Sequence, residues 1–255
     1  MVSADTFEMF GDGIGAAATV LRANAGAVPL STPVPTCPGW TVLDLLAHQG
    51  MVHRWAAATI RGEDAGDGSD AEAEGRACAD ILDWFDAGAT ALLQALADAP
   101  VDLDVPFFLR NAPAPREAWA RRQCHETTIH AVDAMAARLG RPPLGGQTWV
   151  TAPLAADGVD ELILGFLPRR RSRLRSPSPL TIAVRATDTD AAWTIDVSDE
   201  PPRARRGAPS HHPDATFAGT ATDLYLGLWN RADGPSVEGD AAALTLWHTT
   251  MRVSW

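Results

Sequence analysis

Apolar residues recur at spacings of three and four along four long stretches of the first 140 residues. Phe7, Phe10, Ile14, Ala18 and Leu21 share one face of a helix predicted over 3–24. A second helix is predicted from Thr41 to near Arg61-Gly62, with Thr41 and Asp44 forming a capping-box pattern and Leu45, His48, Val52 and Trp55 on one face. A third is predicted over 76–98, carrying Ile81, Trp84, Ala91, Leu92 and Leu96. A fourth runs from about Arg116 to Leu139, where Gly140 suits a C-terminal cap and Pro142-Pro143 forbid continuation. Between them, Pro29 to Pro38 cannot be helical, residues 63–75 read as an acidic exposed loop, and residues 100–115 hold four prolines and read as extended. Four helices of this length predict a four-helix bundle, with long connections after the first and third.

After about residue 145 the period changes. A short helix is predicted over 154–167. Leu180, Ile182, Val184 and Ala186 then alternate with other residues, as do Trp193, Ile195 and Val197 beyond the turn-like Thr187-Asp188-Thr189-Asp190, which predicts an antiparallel hairpin. Helices are predicted over 221–231 and 240–248, and a last short strand near 250–254. The fold class is therefore α+β in two domains: a helix bundle over 1–145 and a small α+β sheet domain over 146–255.

Composition narrows the function. The net charge of -11 argues against nucleic-acid binding. The one concentration of positive charge, Arg169, Arg170, Arg171, Arg173 and Arg175, reads as a solvated linker or helix end. All 21 basic residues are Arg, which excludes Schiff-base catalysis by a lysine. Cys37, Cys78 and Cys124 are too few and too scattered for a disulfide framework or a four-cysteine zinc site. No apolar run is long enough for a membrane span, and the first ten residues hold Asp5 and Glu8 and no basic residue, unlike a secretory leader. The expectation is a cytoplasmic protein, monomeric or dimeric, whose partners are small molecules rather than nucleic acid or membrane.

The candidate chemistry lies in His125-Glu126-Thr127-Thr128-Ile129-His130. Glu126 and His130, four apart, project from one helix face, with Trp119, Gln123 and Asp133 near them. His48 on the second helix can face them. Two imidazoles and a carboxylate on facing helices suit a divalent metal with one position left open, the pattern of a catalytic rather than a structural zinc site. The spacing leaves another reading open: a satisfied buried His48 and a surface Glu126–His130 pair. His125 and His53 are rival ligands lying off the face, and His211-His212 sit in a Pro-flanked loop. Asp133 can accept from His130 or stand at the surface. Trp40 and Trp119 suit either a site wall or bundle core, and Cys37 and Cys124 read as small, partly buried thiols.

Pro35-Thr36-Cys37-Pro38-Gly39-Trp40-Thr41-Val42-Leu43-Asp44-Leu45-Leu46-Ala47-His48 resembles the signature of the mycothiol-dependent maleylpyruvate isomerase family. So does Arg121-Arg122-Gln123-Cys124-His125-Glu126 with His130-Ala131-Val132-Asp133-Ala134; a fainter similarity spans Thr220 to Arg231 and Val237 to Asp240. The resemblance implies a DinB-like metal-binding bundle joined to a domain related to sterol carrier proteins. It implies zinc, or another divalent metal, on His48, Glu126 and His130, with mycothiol as thiol cofactor. It also implies a substrate-acting arginine in the second domain, for which Arg231 is the candidate. No residues are assigned to the cofactor's own pocket. The function so implied is cis–trans isomerisation of maleylpyruvate type or thiol S-transfer to a small electrophile. The alternatives are a metal-dependent hydrolase, in which water takes the open position, and a non-catalytic, metal-stabilised binding module.

Overall fold

The structure, a computed structural model, describes residues 4–109 and 112–251. These fall into two units: residues 4–108 with 112–143, and Leu109 with residues 144–251. Leu109 belongs to the second unit although the chain on both sides of it belongs largely to the first.

The first unit is a bundle of α1 (Ala4–Ala25), α2 (Val42–Ile60), α4 (Ile81–Asp98) and α5 (Pro115–Leu139), to which a short α3 (Ser69–Ala77) is added. α1 packs on α5 and α4, and α2 packs on the same two, closing a ring of four. The expected capping box is present: the Thr41 side chain accepts from the Asp44 backbone N–H while Asp44 reaches back to the Thr41 N–H. Pro115 opens α5, and Gly140 at φ 69 closes it in the left-handed region that a glycine enters without steric cost.

The helix predicted over 76–98 is two helices. Cys78 turns extended, and the Asp80 side chain accepts from the Leu82 and Asp83 backbone N–H groups, nucleating α4 afresh. Part of the acidic stretch predicted as loop is α3. Its Gly75 lies against Trp84, as does Gly50 of α2: an added Cβ would meet the indole at 2.7 Å and 2.2 Å respectively. The Arg54 guanidinium stacks 3.7 Å from the centre of the Trp84 ring. One tryptophan thus fastens α2, α3 and α4 together.

The second unit holds α6 (Ala152–Asp160), which continues through a π-helical turn (Glu161–Phe166), then β1 (Leu180–Ala186), β2 (Ala192–Val197), β3 (Arg203–Arg206), β4 (Ala215–Gly219), α7 (Ala221–Leu228), β5 (Ser236–Gly239) and α8 (Ala242–Thr250). The sheet order is β3-β2-β1-β4-β5, antiparallel except for β1 beside β4. The predicted hairpin forms with Ile182 opposite Ile195 and Val184 opposite Trp193. Three strands went unanticipated. β3 (Arg-Ala-Arg-Arg) and β5 (Ser-Val-Glu-Gly) are edge strands with little to alternate, and β4 is short and built mostly of small residues. Helix α7 stops at Leu228 rather than 231, because Trp229 caps it and Asn230 takes a positive φ of 59°. The final strand expected near 250–254 begins inside α8, and its residues from 252 onward lie outside the described ones. Among the described residues no helix is long and apolar enough to cross a membrane.

Candidate metal centre

Helix α5 is buried along nearly its whole length, and its buried residues include Arg122, Gln123, His125, Glu126, Thr127, Thr128, His130 and Asp133. So much polar surface is removed from water only where something compensates it. The geometry shows how.

Glu126 and His130 stand one turn apart on α5, and His48 reaches them from α2. Glu126 Oε1 lies 3.3 Å from His130 Nε2 and 3.7 Å from His48 Nε2. These separations bracket the edge of about 3.4 Å expected for a tetrahedron of nitrogen and oxygen ligands around zinc. The three side chains are only 13%, 5% and 8% exposed for His48, Glu126 and His130. His48 Nε2 and Glu126 Oε1 are buried without a hydrogen-bond partner. A divalent cation between the three atoms would satisfy both, so the residues fit such an ion.

The electrostatics agree. Burial alone would push the Glu126 carboxyl up, but His130, His48 and the Arg122 guanidinium outweigh it and hold it well below the usual carboxylate range. Burial would push His130 down, yet Asp133, Cys37 and Glu126 hold it well above the usual histidine range. A metal taking His130 Nε2 must therefore displace a proton.

Asp133, fully buried, orients His130. Its Oδ2 lies 2.9 Å from His130 Nδ1 and also accepts the Cys37 thiol at 3.2 Å, while Oδ1 accepts Thr36 Oγ1 at 2.6 Å. Cys37, His130 and Asp133 form a second group with metal-ligand spacing. Its polar atoms already serve one another, whereas His48 Nε2 and Glu126 Oε1 of the first group have no hydrogen-bond partner, so the first is the candidate cation site. Trp40 walls it, with its ring 4.9 Å from that of His48 and stacked at 5.9 Å on that of His130. Trp119 is bundle core against Trp55, Phe107 and Phe108.

The rival histidines lie elsewhere. His125 packs against Phe10 of α1. His53 joins a buried cluster, its Nε2 2.8 Å from Gln49 Nε2 and 2.9 Å from Thr127 Oγ1. His211 and His212 are exposed in the second unit. Cys124 is fully buried. Arg231, also in the second unit, donates Nη1 to the Trp229 carbonyl at 2.8 Å. In the arginine run, Arg170, Arg171 and Arg173 are exposed.

Sequence reasoning missed Arg122, whose fully buried side chain donates Nη2 to Glu126 Oε2 at 2.9 Å. The signal was available: an arginine one turn before a glutamate on the same helix. Thr36 and Cys37 as partners of Asp133 had no such signal, since an irregular connection has no period to read.

Burial pushes the His53 pKa down from 6.5 to about 3, against a smaller upward pull from Glu126. Above its unfolded value His53 is neutral in both the folded and the unfolded chain. Below that value the unfolded chain takes up a proton that the folded protein refuses. Stability of the metal-free protein is therefore expected to fall from about pH 6.5 towards about pH 3, by about 1 kcal/mol per pH unit from this group. Urea unfolding in a chelator across that range checks it, and His53→Gln is expected to remove this part of the slope.

A sequence profile described as the mycothiol maleylpyruvate isomerase N-terminal domain matches residues 13–135, and one described as the C-terminal domain of the same family matches residues 153–246. Two crystal structures share the fold: that of a mycothiol-dependent maleylpyruvate isomerase (TM-score 0.61, 13% identity) and that of a histidine-to-alanine mutant described under the same name (TM-score 0.63, 12% identity). Each match covers 92% of this chain and 94% of the other. No curated relative matches the chain.

Proposed function

Because the chain belongs to the mycothiol maleylpyruvate isomerase family, we propose that it is a zinc-dependent enzyme that uses mycothiol to isomerise, or to transfer the thiol to, a small electrophile. One observation carries the reading: His48 Nε2 and Glu126 Oε1, buried and unpartnered, face His130 Nε2 where a single cation would serve all three. His48, Glu126 and His130 would hold the ion. When bound, it supplies a Lewis acid that turns a neutral thiol into a thiolate nucleophile at neutral pH.

The chain's own residues do the rest. Asp133 accepts a hydrogen bond from His130 Nδ1, which fixes the ring and aims Nε2 at the site. Arg122 occupies Glu126 Oε2 and leaves Oε1 to the site. Trp40 covers the two imidazoles with an apolar face and limits the entry of water. Arg231 is the proposed substrate group, a guanidinium suited to a carboxylate on an electrophile such as a cis dicarboxylate. Thiolate addition to its activated double bond, rotation and loss of the thiol would give the trans product, whereas release of the adduct would be S-transfer.

A hydrolase at this site would need a general base. Glu126 is committed between two imidazoles and Arg122, and Asp133 is engaged by His130, Cys37 and Thr36, which favours the thiol reading. The test is to measure bound metal in the purified protein and then follow mycothiol and a panel of electrophiles that includes maleylpyruvate. Metal-dependent thiol consumption or isomerisation is expected, lost on chelation and restored by added zinc. Turnover that persists after the metal is removed, or metal-loaded protein inert to every electrophile, would overturn the proposal.

A further inference from the structure

We propose that Arg122 is a positioning residue that limits Glu126 to one oxygen at the cation site and so keeps a coordination position for the thiol. The proposal rests on the ligand assignment above. The two oxygens of Glu126 face different partners. Oε2 accepts Arg122 Nη2 at 2.9 Å, while Oε1 faces both imidazoles and has no hydrogen bond.

A carboxylate is free to coordinate a cation through one oxygen or through both. Two nitrogens and one oxygen leave a four-coordinate ion one open position; a second oxygen from the same carboxylate competes for it. For Oε2 to swing onto the ion it must give up a charge-assisted bond to a guanidinium that is itself fully buried. Giving up that bond is costly, because both of its charged groups are sealed from water. Both side chains leave the same helix one turn apart, so the backbone of α5 fixes the pairing.

Neutralising a buried glutamate is a simpler role for Arg122, and it makes a different prediction. If Arg122 only stabilised Glu126, its loss would weaken metal and thiol binding together. If it restrains Oε2, its loss spares the metal and weakens the thiol.

Cobalt(II) serves as a coloured stand-in for zinc and 2-mercaptoethanol as the thiol. Cobalt affinity is read by chelator competition, and thiol affinity by the sulfur-to-cobalt charge-transfer absorption. Arg122→Met is expected to hold cobalt as tightly as the unaltered protein or more tightly, and to bind the thiol about tenfold more weakly or worse. Arg122→Lys, which still offers a charged donor to Oε2, is expected to stay within about threefold of the unaltered protein in thiol affinity. If the methionine variant does not fold, Arg122→Gln takes its place, with its weaker neutral donor costing about threefold or more in thiol affinity at unchanged cobalt affinity. Unchanged thiol binding in Arg122→Met or its substitute overturns the proposal, as does parallel loss of cobalt and thiol. Failure of the unaltered protein to bind cobalt at all would instead overturn the ligand assignment on which the proposal stands.

Discussion

His48→Ala is expected to lower divalent-metal affinity by about a hundredfold or more and to abolish metal-dependent thiol consumption while leaving the fold intact. Two of three ligands cannot hold an ion against solvent at ordinary free-metal concentrations. His48 is the cleanest of the three to remove: its Nε2 has no hydrogen-bond partner to lose. His130→Ala should lose the metal equally, but it also strips Asp133 of a partner and leaves a buried carboxylate exposed to the cost of desolvation. In the metal-free protein the raised pKa of His130 contributes stability that is full below its unfolded value and fades as pH rises through the folded one. His130→Ala should therefore destabilise the metal-free protein most at acidic to neutral pH. Because the imidazolium must give up a proton to a metal, affinity in the unaltered protein should rise with pH through the neutral range. Elemental analysis and metal titration of both variants decide the matter, and full occupancy in both would end the ligand assignment.

Gly50→Val is expected to destabilise the helical unit by about 3 kcal/mol or more, without any change to a site residue. Even the first carbon of a side chain at Gly50 would lie 2.2 Å from Cζ3 of Trp84. The indole has little room to retreat, because Gly75 of α3 presses on it as well and the Arg54 guanidinium lies over its face. Either α2 and α4 move apart or Trp84 leaves its place. A second substitution, Trp84→Ala, made in the Gly50→Val background should cost much less than Trp84→Ala alone, because the cavity and the added side chain partly cancel. Denaturant unfolding of the four proteins in the cycle measures this, and additive effects would refute the packing explanation.

Several features were legible because they are local. The Thr41–Asp44 box, the Gly140 stop, the shared face of Glu126 and His130, and the alternation in β1 and β2 each span a few residues and follow from helix or strand geometry. The break between α3 and α4 was hidden because residues 76–98 keep a helical period straight through Cys78, Ala79 and Asp80. Gly50 and Gly75 receive one indole and so hold α3 against α2 and α4, a tertiary relation that no local period records. β3 escaped notice because an exposed edge strand has no buried face to mark.

By itself, the chain's order of residues settled that α5 carries a carboxylate and an imidazole on one side and that an arginine precedes them by a turn. It also settled where most helices begin and end, since capping, glycine and proline act within a turn of where they sit. Packing alone decided that His48 of α2 meets that side of α5, that Thr36 and Cys37 close on Asp133, and that Arg122 is sealed from water against one oxygen of Glu126. These contacts join residues up to 97 positions apart or depend on what covers them. A helical period says which way a side chain leaves its own helix; what it meets is set by the neighbouring elements.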